Sequence, residues 1–239
     1  MKRREFLTGS LALALSASAR AAPEERAARP VAAGGKLTPP AKGEIPVAFA
    51  ITEGFNVIDM AGPWEVFQDV TLPESGADHD DQMPFRLFTV SEGTAPLRGT
   101  GGLTVVPEYT FPKAPAPRVI VVGAQRGGPA LHEWLRKSSR TAEVTMSVCT
   151  GAFQLARAGL LSGLSATTHH DFQDRLAREF PDVKVERGLR FVEGPKISTA
   201  GGLTSGIDLA LRVVDRYFGR AAAERTAAYM EYQSRGWIA

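Results

Sequence analysis

Short apolar runs alternate with amphipathic stretches along most of this chain, and that alternation leaves few folds open. Ile45 to Ile51, Phe85 to Ser91, Arg118 to Val122, Glu143 to Val148 and Lys196 to Thr199 have the length and content of buried strands. Arg118 to Val122 is a nearly unbroken β-branched run, as expected of a central parallel strand covered on both faces. Between and after them, helices are predicted at Asp59 to Val70, Pro129 to Lys137, Gly151 to Ala158, Asp171 to Phe180, Ser205 to Phe218 and Ala221 to Tyr232. A short strand is predicted at Ala166 to Thr168. Leu103 to Val106, after the turn Gly99-Thr100-Gly101-Gly102, reads as a small antiparallel piece. Strand–helix alternation implies an α/β fold with a mostly parallel sheet, whose ligands bind beyond the carboxyl ends of its strands.

The chain has 239 residues, 44% of them hydrophobic, enough for one sizeable core. Residues 1–21 read as an export signal of the twin-arginine type. Lys2-Arg3-Arg4-Glu5-Phe6-Leu7 precedes an apolar stretch, Leu11 to Ala17, and Ala19-Arg20-Ala21 offers a small-x-small cleavage site. That stretch is too short to span a bilayer, so no membrane span is expected after its removal, and the expected location is the periplasm. Residues 22–43, rich in Ala, Pro and Gly, read as a flexible linker, and the folded domain is placed at 44–239. The formal net charge is +2, but residues 1–21 carry a net of +3. The remainder shows no basic stripe, so no nucleic-acid partner is expected.

Cys149 is the one cysteine, so no internal disulfide can form. Ser147-Val148-Cys149-Thr150-Gly151 has the form of a nucleophile elbow, in which a strand turns sharply into a helix and lifts the central side chain clear of the sheet. A helix amino terminus beneath the sulfur would favour a thiolate. The expectation is a reactive thiol that titrates below the ordinary value of about 8.5.

The motif Ser147-Val148-Cys149-Thr150-Gly151-Ala152, followed by Ala158-Gly159-Leu160-Leu161-Ser162-Gly163 and Ala166-Thr167-Thr168-His169, resembles the ThiJ/PfpI branch of the class I glutamine amidotransferase-like superfamily. Ile58-Asp59-Met60-Ala61-Gly62-Pro63 and Thr199-Ala200-Gly201-Gly202-Leu203-Thr204-Ser205-Gly206-Ile207-Asp208 match its first helix and last strand-to-helix junction. Within that family the pattern is similar to isonitrile hydratases and to the sensor domains of AraC-type regulators. The resemblance implies a flavodoxin-like three-layer sandwich, commonly a homodimer, with Cys149 as nucleophile, Thr150 as polar neighbour and Asp59 as acidic partner. Read from the residues alone, Asp59 is equally a helix cap. His169 is expected near the thiol, with His170 and Asp171 available to complete a triad. Where relatives carry Pro-Gly-Gly, this chain has Gly123-Ala124-Gln125, from which backbone oxyanion donors are expected.

The implied activity is hydration of a small electrophile, an isonitrile, to an N-substituted formamide. A glyoxalase or deglycase reaction and a non-enzymatic ligand or redox sensor are the alternatives. No cofactor or metal is expected; Asp78-His79-Asp80-Asp81, beside Gly76 and Pro84, reads as a solvated loop. The expected partner is a small molecule.

Overall fold

The structure is a computed structural model that describes residues 34–238 apart from 42, 77 and 79–81. The export signal at 1–21 therefore lies outside the described residues, as do His79, Asp80 and Asp81 of the acidic loop. The strands are β1 (Ile45–Ala50), β2 (Phe85–Ser91), β3 (Leu97–Arg98), β4 (Thr104–Val105), β5 (Tyr109–Thr110), β6 (Val119–Val122), β7 (Val144–Ser147), β8 (Ser165–Ala166), β9 (Lys184–Val185), β10 (Phe191–Val192) and β11 (Ile197–Ala200). The α-helices are α1 (Val57–Gln68), α2 (Pro129–Ser138), α3 (Gly151–Arg157), α4 (Gln173–Glu179), α5 (Ser205–Phe218) and α6 (Arg220–Tyr229).

Seven strands form one sheet in the order β10-β11-β7-β6-β1-β2-β5, parallel except for β10, which runs antiparallel to β11. The central strands are buried along their length because helices cover both faces. Val47, Val121 and Met146 pack toward α1, α5 and α6; Ala48, Ile120 and Val122 pack toward α2, α3 and α4. The result is a three-layer α/β sandwich. Strand order reverses at β1, whose neighbours are β2 and β6. The loops leaving the carboxyl ends of β1, β6, β7 and β11 are therefore gathered at one end of the sheet.

Several local expectations are revised. Helix α1 starts at Val57, where Asn56 caps it by accepting the Ile58 N–H at 3.2 Å through Oδ1. Asp59 is thus released from capping, and Pro63 stands inside the helix. The stretch from Asp171 begins with one tight turn, His170–Phe172, before α4. Strand β8 belongs to a separate two-stranded sheet with β9.

The domain also begins earlier than Glu44. Gly35 carbonyl oxygen accepts from Arg216 Nε at 2.9 Å, Leu37 N–H donates to the Arg216 carbonyl at 2.8 Å, and Thr38 carbonyl accepts from Arg118 at 2.7 Å. The end of the stretch read as flexible linker is bound to the domain by two arginines.

Candidate functional site

Strand β7 runs into Cys149, whose φ of +56° lies in the left-handed region that ordinary side chains avoid. The surrounding chain holds it there. Cys149 N–H donates to the Gly201 carbonyl at 2.7 Å, and Thr168 Oγ1 donates to the Cys149 carbonyl at 2.8 Å. Gly151 makes the tight turn possible: a Cβ there would lie 2.2 Å from the Val122 carbonyl oxygen. The atom it would strike is backbone, and a Cβ is fixed to its own backbone, so nothing flexible can yield. Gly151→Ala is expected to destabilise the domain by about 3 kcal/mol, at the upper end of overpacking costs. A urea midpoint matching that of the wild type would count against this account of the elbow.

Three groups address the sulfur. The backbone N–H groups of Thr150 and Leu203 favour its anion, and the Asp59 carboxylate disfavours it. Asp59 is fully buried. Its Oδ2 accepts the Ala124 N–H at 2.9 Å, while Oδ1 is buried with no hydrogen-bond partner among the described residues. Burial pushes the Asp59 carboxyl up to about 6, against the opposing pull of the Ala124 N–H and the thiol. Burial also pushes the Cys149 thiol up to about 11, and the neighbouring Asp59 charge adds to this. The two backbone donors offset only part of it.

The expected thiolate below 8.5 is thereby corrected. Near neutral pH the proton stays on sulfur and the carboxyl is mostly ionised, because burial and the Asp59 charge outweigh two N–H dipoles. Near neutral pH the pair therefore carries one negative charge and one proton. What the structure changes is the resting place of that proton.

The remaining candidates divide. Gly123 seats Asp59, since a Cβ there would stand 2.6 Å from the Asp59 Cβ. The Ala124 N–H, expected as an oxyanion donor, is occupied by Asp59. Gln125 Nε2 donates to the Ala50 carbonyl at 2.9 Å, and the Gln125 carbonyl accepts from Gln154 at 3.0 Å. Gly123-Ala124-Gln125 therefore holds the acid, while Thr150 and Leu203 supply the donors to the sulfur. Thr150 also lines a small cavity of about 170 Å³ with Gln125, Phe153 and Gln154.

His169 is not paired with Cys149. Its Nδ1 accepts the Asp171 N–H at 3.3 Å, its ring stacks on His170 with centroids 4.3 Å apart, and a Cβ at Gly202 would fall 2.5 Å from it. The expected Cys–His triad is not assembled, because His169 caps the turn that precedes α4. Leu203 is the residue that sequence reasoning missed. Its φ of +50° is strained for a leucine and belongs to the turn that aims its N–H at the sulfur. The signal available was Gly201-Gly202 just before it, which marks a sharp turn but not its purpose.

Comparison with known proteins follows the same outline. Residues 46–216 match the DJ-1/PfpI family. An isonitrile hydratase from Pseudomonas putida is 29% identical over 78% of this chain and 78% of its own length. The transcriptional regulator GbdR from Pseudomonas aeruginosa is 27% identical over 77% of this chain, which spans about half (49%) of that regulator. Among solved structures, a ThiJ/PfpI family protein from Pseudomonas syringae superimposes with a TM-score of 0.67 at 26% identity, covering 80% of this chain and 76% of that one. Drosophila melanogaster DJ-1beta gives 0.64 at 13% identity, covering 80% of this chain and all of that one, a likeness of fold alone. With the match running through nearly the whole folded domain, this chain belongs to the DJ-1/PfpI family.

Proposed function

We propose that the chain is a cysteine-dependent enzyme that hydrates an isonitrile to an N-substituted formamide. The observation that carries this reading is the buried Cys149–Asp59 pair at the carboxyl end of the sheet, a thiol beside a carboxyl whose titration burial raises to about 6. The similarity to an isonitrile hydratase supports the choice of substrate class.

The chemistry needs a nucleophile and a proton carrier at the same carbon. The sulfur attacks the terminal isonitrile carbon as Asp59 takes the thiol proton, and Asp59 returns that proton to the carbon. A thioimidate, with carbon bonded to sulfur and doubly bonded to nitrogen, results. Water adds to the carbon through Asp59, its proton passing to nitrogen. Collapse expels the sulfur, which regains a proton from the new hydroxyl, and leaves the formamide. Water is the only atom source added, and Asp59 ends as it began. The N–H groups of Thr150 and Leu203 stabilise the charge that grows on sulfur as its proton leaves.

A sensor reading draws support from the similar regulators and from a thiol held protonated at neutral pH. Incubating the full chain with alkyl and aryl isonitriles and following formamide by mass spectrometry separates the two. Catalytic turnover is expected. Stoichiometric adduct on Cys149 without release, or no reaction with any isonitrile, would remove the hydratase reading and leave a binding protein.

A further inference from the structure

The turn that carries Leu203 is held at both of its ends by one arginine. Arg190 stands just before β10, and its carbonyl accepts the Gly201 N–H at 2.8 Å; the Gly201 carbonyl in turn accepts the Cys149 N–H at 2.7 Å. At the other end, Arg190 Nη2 donates to Thr204 Oγ1 at 3.3 Å and to the Tyr232 hydroxyl at 3.4 Å, and that hydroxyl donates to the Thr204 carbonyl at 3.3 Å. The guanidinium is itself fixed. Its Nε pairs with Asp208, whose fully buried side chain also accepts from Ser234 Oγ at 3.0 Å. Tyr232 and Ser234 belong to the segment after α6, which the buried Trp237 ties to the core. Between the two pinned ends Leu203 keeps its strained φ of +50°. Its side chain is 40% exposed, so packing of the leucine does not hold that conformation; the bonds made by its neighbours do.

We propose that Arg190 and Tyr232 are positioning residues for Cys149, acting through Gly201 and Thr204 to hold the turn, and with it the Leu203 N–H, in place at the elbow. The Leu203 N–H favours the Cys149 anion. A turn released from its brace relaxes toward an ordinary φ and swings that N–H away. The sulfur then keeps the Thr150 N–H as its backbone donor, while Asp59, the charged group that works against the anion, stays where it is. The proposal concerns the sulfur that the hydratase reading uses, and rests on that reading only for its effect on turnover.

The test is the pH profile of iodoacetamide alkylation, with melting and turnover, for Tyr232→Phe, Thr204→Val and Arg190→Lys in the full chain. None of the three alters net charge near neutral pH, so a shifted profile reports geometry. The alkylation midpoint is expected to rise in each variant. At about pH 9 the rate should fall about threefold, because one hydrogen bond to the anion is weakened and greater intrinsic nucleophilicity offsets part of that loss. Where formamide is made, kcat should fall with KM unchanged. Tyr232→Phe leaves the Arg190–Asp208 pair in place, so it decides the matter even if Arg190→Lys fails to fold. A midpoint unchanged in Tyr232→Phe and Thr204→Val, whether melting falls or alkylation merely speeds up at every pH, would overturn the proposal. A raised midpoint in a chain that turns over no isonitrile would support the brace and remove the hydratase reading alone.

Discussion

Replacing Cys149 by serine is expected to abolish formamide production while leaving the fold intact. The loss should reach at least about 10⁴-fold, the scale seen when a nucleophile is removed from a site whose parts act as a unit. Serine fits the buried position and can still sit in the elbow, since the backbone bonds from Cys149 N–H and to its carbonyl do not involve the side chain. What it lacks is a proton that Asp59 can take. A carboxyl held at about 6 has little leverage on an alcohol and much more on a thiol, even one raised to about 11. The assay pairs turnover with a melting curve. A serine variant that melts like the wild type and still makes formamide at more than about a hundredth of its rate would end the nucleophile assignment.

Asp59→Asn separates proton transfer from packing. The asparagine can keep the Ala124 N–H bond, yet it cannot accept a proton from sulfur. Turnover is expected to fall by about 10²–10⁴-fold, the usual contribution of a positioned acid–base group. In the wild type, kcat/KM should rise with pH through about 6, as the carboxyl ionises, and the variant should lack that limb. Thiol alkylation moves the other way. Removing the Asp59 charge takes away one of the influences that hold the Cys149 thiol high, so the pH midpoint for iodoacetamide labelling should drop.

Stability gives a third readout on the same variant. An acid whose titration is raised on folding from 3.8 to about 6 penalises the folded state once it ionises. Wild type and variant should be equally affected below about pH 4, and the variant should gain through the window from 3.8 to 6. Above that window the gain reaches about 3 kcal/mol. Slower catalysis with higher stability, growing over that pH window, is a combination that mere damage to the core does not produce. An unchanged pH profile would remove Asp59 from proton transfer.

The frame of the fold was legible because it rests on long, periodic signals. Phe85–Ser91 and Ser205–Phe218 form the strand and helix read from their sequences, and the β-branched run ending at Val122 lies in the sheet centre. Strands β5, β9 and β10 were not legible, since two residues cannot carry an alternation. At the site, Cys149 was legible from the elbow motif, whereas Asp59 came only from the family resemblance, its residue type being equally that of a cap. The proton's position was not legible, because burial from distant elements decides it. The role of Ala124 and the strained turn at Leu203 were hidden for a related reason: backbone donors act without regard to side-chain identity.

The two arginine clamps at Gly35 and Thr38 set the polarity of the whole molecule. Arg118 immediately precedes β6 and Arg216 lies in the last turn of α5, so both stand at the pole where the parallel strands begin. Cys149 opens at the pole where they end. The first described residues, Gly34 to Thr38, consequently sit at the far side from the chemistry, like a mooring line tied to the stern. A tether fixed to the exposed Lys36 would hold the molecule by the pole opposite Cys149, and substrate could approach the immobilised molecule as freely as one in solution.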